Sequence, residues 1–144
     1  MSTQLNIKCQ NQYTDLKDIV RIANKLKRKY TVKNKINLHA IMKDENIIFQ
    51  DDETAKENNF ELLDHENGKI FYYLDSSKIK HWIIVYRKNL KKDKLRFTIA
   101  HELGHYFLKH IQKWIEINGP LNVYDPKFEE EANQFAQAFL MICN

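Results

Sequence analysis

The sequence predicts a protein of the α+β class, in which helices flank a small antiparallel sheet. Apolar residues recur at helical spacing towards both ends of the chain, and short β-branched and aromatic runs cluster between them. Helices and strands come in blocks, whereas a parallel α/β fold would alternate them. The chain has 144 residues, a length that suits one domain, so we predict a single domain over residues 1–144.

Two N-terminal helices are expected over residues 14–44. Residues 14–30 carry apolar side chains at helical spacing, with Thr14 as the candidate N-cap. Residues 36–44 predict a shorter second helix with one apolar face. These helices precede every strand-type run.

The sheet is expected over residues 47–86. Its strand-type runs lie at residues 47–49, 60–65, 69–74 and 81–86. Asn67-Gly68 stands between the second and third runs, and Asn-Gly in that position is typical of a tight β-hairpin. The runs therefore predict a small antiparallel meander.

Two further helices are expected after the sheet. The first covers residues 94–109, with Asp93 as candidate N-cap and His110 as a partner of its C-terminal dipole. The second covers residues 127–142 and begins after an Asp-Pro pair. A loop between them completes the predicted order.

Charge and composition favour a cytoplasmic protein that does not contact membranes. The formal net charge is +4, and residues 21–35 hold seven basic side chains and no acid. A solvated face is the simpler interpretation of that stretch, and nucleic-acid contact is the alternative; we do not expect direct nucleic-acid binding. No apolar run approaches a membrane span, the N-terminus has no signal-peptide pattern, and two cysteines are too few for a disulfide framework.

One motif within the penultimate helix carries chemistry. His101-Glu102-Leu103-Gly104-His105 reads H-E-x-x-H, and residues i and i+4 of a helix lie on one face. Both imidazoles can therefore reach one metal ion, and two imidazoles with a carboxylate suit Zn²⁺. Glu102 is the candidate general base that takes a proton from the attacking water.

The last helix offers the third ligand within Glu129-Glu130-Glu131. Glu129 is the first choice because Asn133 then lies on the same face and can orient a ligand histidine. Glu131 is the alternative, and Glu130 points away from the apolar face. Gly104, which costs stability in mid-helix, is expected where this helix or a substrate approaches closely.

The segments around these motifs resemble the ImmA/IrrE family of metallopeptidases. The resemblance is strongest over Arg96-Phe97-Thr98-Ile99-Ala100-His101-Glu102-Leu103-Gly104-His105 and over Glu130-Glu131-Ala132-Asn133-Gln134-Phe135-Ala136. It implies a zincin-like fold with gluzincin-type ligation, in which His101, His105 and a glutamate of the last helix bind zinc. Glu102 is implied as the catalytic base, and several members act beside a helix-turn-helix repressor of a mobile element.

We therefore expect a zinc-dependent endopeptidase of narrow specificity, whose protein substrate is a helix-turn-helix repressor of a phage or mobile element. The alternative is a regulator that uses a zincin scaffold to bind a protein or DNA without cleavage, as an antirepressor or a toxin–antitoxin component. Substrate could add as a strand to residues 81–86 or to a neighbouring strand, unless 81–86 is a buried central strand. Candidate oxyanion donors are Tyr86, Tyr106 and Tyr124.

Overall fold

A computed structural model describes residues 12–60, 63, 66–118 and 125–141, and it confirms the α+β class. The helices are α1 (Leu16–Tyr30), α2 (Leu38–Asp44), α3 (Asp52–Glu57), α4 (Lys92–Phe107), α5 (His110–Asn118) and α6 (Pro126–Leu140). The strands are β1 (Thr31–Val32), β2 (Lys35–Ile36), β3 (Ile47–Asp51), β4 (Gly68–Leu74) and β5 (Lys80–Tyr86). A search of the described helices found none with the length and apolar content of a bilayer span.

The main sheet is mixed, so the prediction of an antiparallel sheet was only partly right. Its strand order is β3–β5–β4, with β4 antiparallel and β3 parallel to β5. Parallel pairing requires a crossover, and here the chain between β3 and β5 includes both α3 and β4. The apolar run at residues 47–49 could not indicate which neighbour it pairs with or in which direction.

The hairpin predicted at Asn67-Gly68 stays a prediction, because most of its first strand lies outside the described residues. Gly68 is the first residue of β4, and the turn that joins β4 to β5 lies at residues 75–79, where the Asp75 carboxylate accepts bonds from the Ser77 and Ile79 amides. Of the predicted partner strand at 60–65, residues 61, 62, 64 and 65 lie outside the described part of the chain.

Two predicted N-caps were wrong. α1 begins at Leu16 after Asp15, and Thr14 instead uses its backbone N–H in a contact described below. α4 begins at Lys92, which places Asp93 inside the first turn, where its charge complements the helix dipole. By contrast, α6 is capped by the Asp125 side chain, which accepts from Lys127 N at 2.7 Å.

Three elements were not predicted: the β1–β2 hairpin, α3 and α5. The β1–β2 turn consists of Lys33 and Asn34, with φ of 52° and 63°. This is the left-handed region that glycine adopts most readily; asparagine also tolerates it, but lysine seldom does, so Lys33 gave no reason to expect the turn.

The helix that carries the sequence motif is packed between α6 and the sheet. Gly104 permits the contact with α6, because a Cβ there would lie 3.1 Å from Phe135 Cδ1 and 3.2 Å from Ala132 Cα. The expected close approach at Gly104 is therefore confirmed, with α6 as the neighbour. On the other side of α4, β4 passes so near that a Cβ on Gly68 would meet Thr98 Cγ2 at 2.5 Å.

Candidate metal centre

The three motif residues of α4 converge on one point between α4 and α6. One potential ligand atom each from His101, Glu102 and His105 lies within 4.8 Å of the other two. The Nε2 atoms of the two histidines are 3.1 Å apart, as the i, i+4 spacing of the helix allows. All three side chains are largely buried, so their orientations are set by packing and hydrogen bonds.

Glu129 of α6 faces the same two nitrogen atoms. Its Oε2 lies 2.6 Å from His105 Nε2, and its Oε1 lies 3.4 Å from His101 Nε2. Burial alone would raise the pKa of Glu129, but hydrogen bonds from both histidines outweigh it and hold that pKa well below the ordinary value. Glu129 is thus an anion against two imidazoles, and it is the glutamate of α6 that the structure places at this point.

The outer nitrogen atoms of the two histidines have different partners. His101 Nδ1 lies 2.8 Å from Asn133 Oδ1, so Asn133 stands where the sequence predicted an orienting residue. His105 Nδ1 lies 2.8 Å from His110 Nδ1. Each imidazole therefore has a hydrogen-bond partner at its Nδ1 atom, and this partner directs the Nε2 atom towards Glu129.

The structure overturns the prediction that His110 ends the motif helix as a dipole partner. His110 begins α5 and its side chain is fully buried, with a relative exposure of 0%. Its Nε2 lies 2.9 Å from Glu131 Oε1, and Glu131 Oε2 accepts the backbone N–H of Thr14 at 3.1 Å. Glu131, the alternative ligand, therefore contacts His110 and not the ligand atoms of His101 and His105, and it completes a buried series of hydrogen bonds.

The donor and acceptor of each hydrogen bond in this series are fixed if His105 uses its Nε2 atom as a metal ligand. The proton of His105 is then on Nδ1 and is donated to His110 Nδ1, which must be unprotonated. His110 consequently carries its proton on Nε2 and donates it to the Glu131 carboxylate. Burial lowers the pKa of His110 to about 4, although the Glu131 carboxylate acts in the opposite direction. The lowered pKa keeps the ring neutral, as this pattern of hydrogen bonds requires.

Glu102 is fixed by the edge strand of the sheet. Its Oε1 accepts the backbone N–H of Ile70 at 3.0 Å, and its Oε2 lies 3.9 Å from His101 Nε2. Burial raises the pKa of Glu102 above that of an ordinary carboxyl group. One oxygen is thus anchored and the other faces the site.

The strand beside the site is β4, not residues 81–86. β5 is central, with β3 and β4 on either side, so it has no open edge for a further strand. Arg87 N donates to Asn67 O at 2.8 Å, and the alternation of an antiparallel pair then turns the N–H of Ile70 away from β5. Among the described strands, β4 therefore pairs on one side only, and its other edge faces Glu102.

The remaining candidates are occupied elsewhere or lie outside the described residues. The Tyr106 hydroxyl donates to Glu45 Oε1 at 2.9 Å, and burial together with this bond raises the pKa of Tyr106 to about 12. Tyr86 stacks on Phe49, and Tyr124 is not described. His81 pairs with Asp75, as expected of a structural histidine.

The donor set and its spacing fit a zinc ion. Ligand atoms about 2.05 Å from a tetrahedral metal are about 3.3 Å from each other. The histidine pair at 3.1 Å and the His101–Glu129 pair at 3.4 Å match that value, whereas the His105–Glu129 pair at 2.6 Å has the length of a direct hydrogen bond. Two imidazoles and one carboxylate are a donor set typical of catalytic zinc sites, which keep one position open.

Comparison with known proteins gives one match. The family model described as the IrrE N-terminal-like domain, Peptidase M78, matches residues 56–142, which include the histidine motif and the whole of α6. Searches of curated proteins and of solved structures gave no match.

Proposed function

Because this chain belongs to the ImmA/IrrE family of metallopeptidases, we propose that it is a zinc-dependent endopeptidase of narrow specificity with a zincin-like arrangement. The observation that carries the proposal is the convergence of His101 Nε2, His105 Nε2 and the Glu129 carboxylate. A hydrogen bond at Nδ1 fixes the orientation of each histidine. His101, His105 and Glu129 would hold the ion. When bound, zinc supplies Lewis-acid chemistry, which polarises a scissile carbonyl group and makes water easier to deprotonate.

Glu102 serves as the general base in this proposal. Its Oε1 is anchored by Ile70 N–H, so Oε2 is the atom that takes the proton of the attacking water. A raised pKa suits a carboxylate that must hold this proton and then deliver it to the departing amine. Cleavage of the peptide bond thus leaves a carboxyl group on one product and an amine on the other.

Substrate binds along β4 as an additional strand. The Ile70 N–H of this edge is bonded to Glu102, and in this proposal the other outward main-chain groups of β4 pair with an extended peptide whatever its sequence. Specificity then depends on side-chain contacts next to this edge. A protein with an exposed extended segment is therefore the substrate class that we propose.

We further propose that the substrate is a helix-turn-helix repressor encoded beside this chain on a phage or mobile element, and that cleavage in the cytoplasm relieves repression. Co-incubation of the zinc-loaded protein with the neighbouring gene product, read by intact-mass spectrometry, tests this. Wild-type protein should yield two fragments whose masses sum to the substrate plus water. Glu102→Gln should yield none, whereas the matched control Glu130→Gln, an exposed glutamate of α6, should behave as wild type.

A repression assay with the same two proteins separates the peptidase from a regulator that acts by binding. Repression relieved equally by wild type and Glu102→Gln, without fragments, would favour the non-proteolytic alternative. A protein that binds no zinc would refute the metal centre itself.

A further inference from the structure

A cleft of about 770 Å³ lies between the end of α1, the β1–β2 turn, the first half of α4 and the end of α6. The described cationic residues that line it are Lys27, Arg28, Lys33, Lys35 and Arg96. Asp93 is the single acidic side chain among the described lining residues. The cleft therefore concentrates positive charge in one concave surface.

Much of this charge has no carboxylate partner. Within the described residues, no ion pair joins Arg28, Lys33 or Lys35 to an acidic side chain. The cations of Lys92 and Arg96 lower the pKa of Lys35, as like charges do at short range. An anionic ligand would relieve this repulsion, because it supplies a counter-charge that the described residues of the cleft do not supply.

The lining between these cations is apolar. Ile36, Phe97, Leu140 and Met141 contribute to it, and Phe97 and Met141 remain 37% and 58% exposed. A free phosphate ion would leave these side chains in water. Single-stranded nucleic acid prefers several aromatic surfaces for base stacking, and Phe97 is the one aromatic residue among the described lining residues. A peptide with both acidic and apolar side chains satisfies both parts of the surface.

The cleft adjoins the metal centre along α4. Phe97 lies one helical turn before His101, and their ring centroids are 6.4 Å apart. Resting on the proposed peptidase function, we infer that this cleft binds an acidic and apolar segment of the polypeptide substrate, next to the bond that is cut. The cleft then selects substrates by their charge, whereas main-chain pairing with β4 does not distinguish between charged and neutral peptides.

A binding experiment tests this independently of cleavage. The protein is the full chain with Glu102→Gln, which prevents cleavage during the measurement. The probe is a fluorescein-labelled peptide in which Glu alternates with Leu. A matched control peptide has Lys in place of Glu. The test variant adds Arg28→Glu and Lys33→Glu. The control adds Lys17→Glu and Lys56→Glu, two exposed lysines outside the cleft that change the net charge equally.

We expect the acidic peptide to bind, and to bind more weakly as salt is raised. The Arg28/Lys33 variant should weaken binding about tenfold, and the control less than about twofold, at unchanged thermal stability. Absence of binding, preference for the Lys peptide, or equal weakening in both variants would overturn the inference. Tighter binding of a short oligothymidine would assign the cleft to nucleic acid, and displacement of the peptide by inorganic phosphate at low concentration would assign it to a free anion.

The cleft assignment and the peptidase proposal can be refuted independently of each other. If wild-type protein cuts its substrate but the acidic peptide does not bind, the cleft assignment is wrong and the peptidase proposal stands. If the peptide binds as expected but no substrate is cut, the peptidase proposal is the one that fails.

Discussion

His110→Phe tests whether the buried series of hydrogen bonds at His105 controls the metal centre. Phenylalanine keeps the ring that stacks on Phe128, whose centroid is 4.3 Å away, but it removes both nitrogen atoms. His105 Nδ1 then loses its acceptor, and Glu131 loses its donor at Oε1. Phenylalanine is somewhat larger than histidine, so the change in stability includes a packing cost, and the loss of zinc affinity is the measurement that reports on these two hydrogen bonds.

The expected cost follows from burial. Glu131 is 1% exposed, so its carboxylate would keep only the bond from Thr14 N–H in a site that water does not reach. Removing the neutral donor to a buried carboxylate, and leaving a second buried donor unsatisfied, costs about 3 to 5 kcal/mol. The zinc dissociation constant should rise about 10- to 100-fold, because His105 is no longer held in one tautomer and orientation.

Two measurements check these values. Urea denaturation in the presence of a chelator gives the free energy of unfolding of the metal-free protein, and competition with a chromogenic chelator gives the zinc affinity. A folded His110→Phe protein that binds zinc within about twofold of wild type would refute the orienting role. An unchanged free energy of unfolding would show that the Glu131 carboxylate is satisfied in some other way.

A second variant distinguishes orientation from stability. His110→Phe combined with Glu131→Met replaces the buried polar pair by apolar side chains, which often restores stability to within about 1 to 2 kcal/mol of the original. Zinc affinity should stay as low as in the single variant. Recovery of affinity together with stability would mean that the single substitution acted only by destabilising the fold.

Three further predictions concern α4 and its neighbours. Gly104→Ala gains about 1 kcal/mol of helix propensity but overpacks α6 at 3.1 to 3.2 Å at a cost of about 1 to 3 kcal/mol, so urea denaturation should show a net loss of up to about 2 kcal/mol; stabilisation would contradict the close approach. Gly68→Ala should lower peptidase activity by pushing β4 off Thr98, and adding Thr98→Ala, which removes the clashing methyl group, should restore it; no rescue would contradict this cause. The pKa of His110, about 4 against 6.5 for a free histidine, means that the folded chain binds fewer protons than the unfolded chain between these values. The free energy of unfolding of the metal-free protein should therefore fall by on the order of 3 kcal/mol from pH 6.5 to pH 4, and His110→Phe should lack this slope in denaturant titrations.

The parts of the site that were predictable from sequence are those that follow from helix geometry. His101 and His105 share a face because they are i and i+4, and the same spacing links Glu129 to Asn133. Gly104 was informative because glycine in mid-helix requires a reason. Each of these inferences needs only a short segment and the 3.6-residue period.

The parts that were missed depend on turns without a sequence marker. α4 ends at Phe107, and Lys109 then adopts φ of 60°, which redirects the chain into α5 and brings His110 back under His105. Left-handed conformations are uncommon outside glycine and asparagine, so a lysine there gave no reason to expect a break. The parallel pairing of β3 with β5 was missed because pairing is set by the packing of distant segments.

In the proposed metal centre, the hydrogen bonding of His105 is linked to the packing of α1. The series of hydrogen bonds starts at Thr14, just before α1, and passes through Glu131 of α6 and His110 of α5 to reach His105 of α4. Each bond fixes the donor and acceptor of the next, so the tautomer of His105, a proposed ligand, depends on how α1 packs against α6. Lys27 Nζ, which donates to Ala138 O at 3.1 Å, secures that contact at its opposite end and also lines the basic cleft. If substrate binds the cleft as proposed, it contacts the same helix pair whose position holds His105 in place, and substrate binding then has a physical path to the geometry of the proposed ligands.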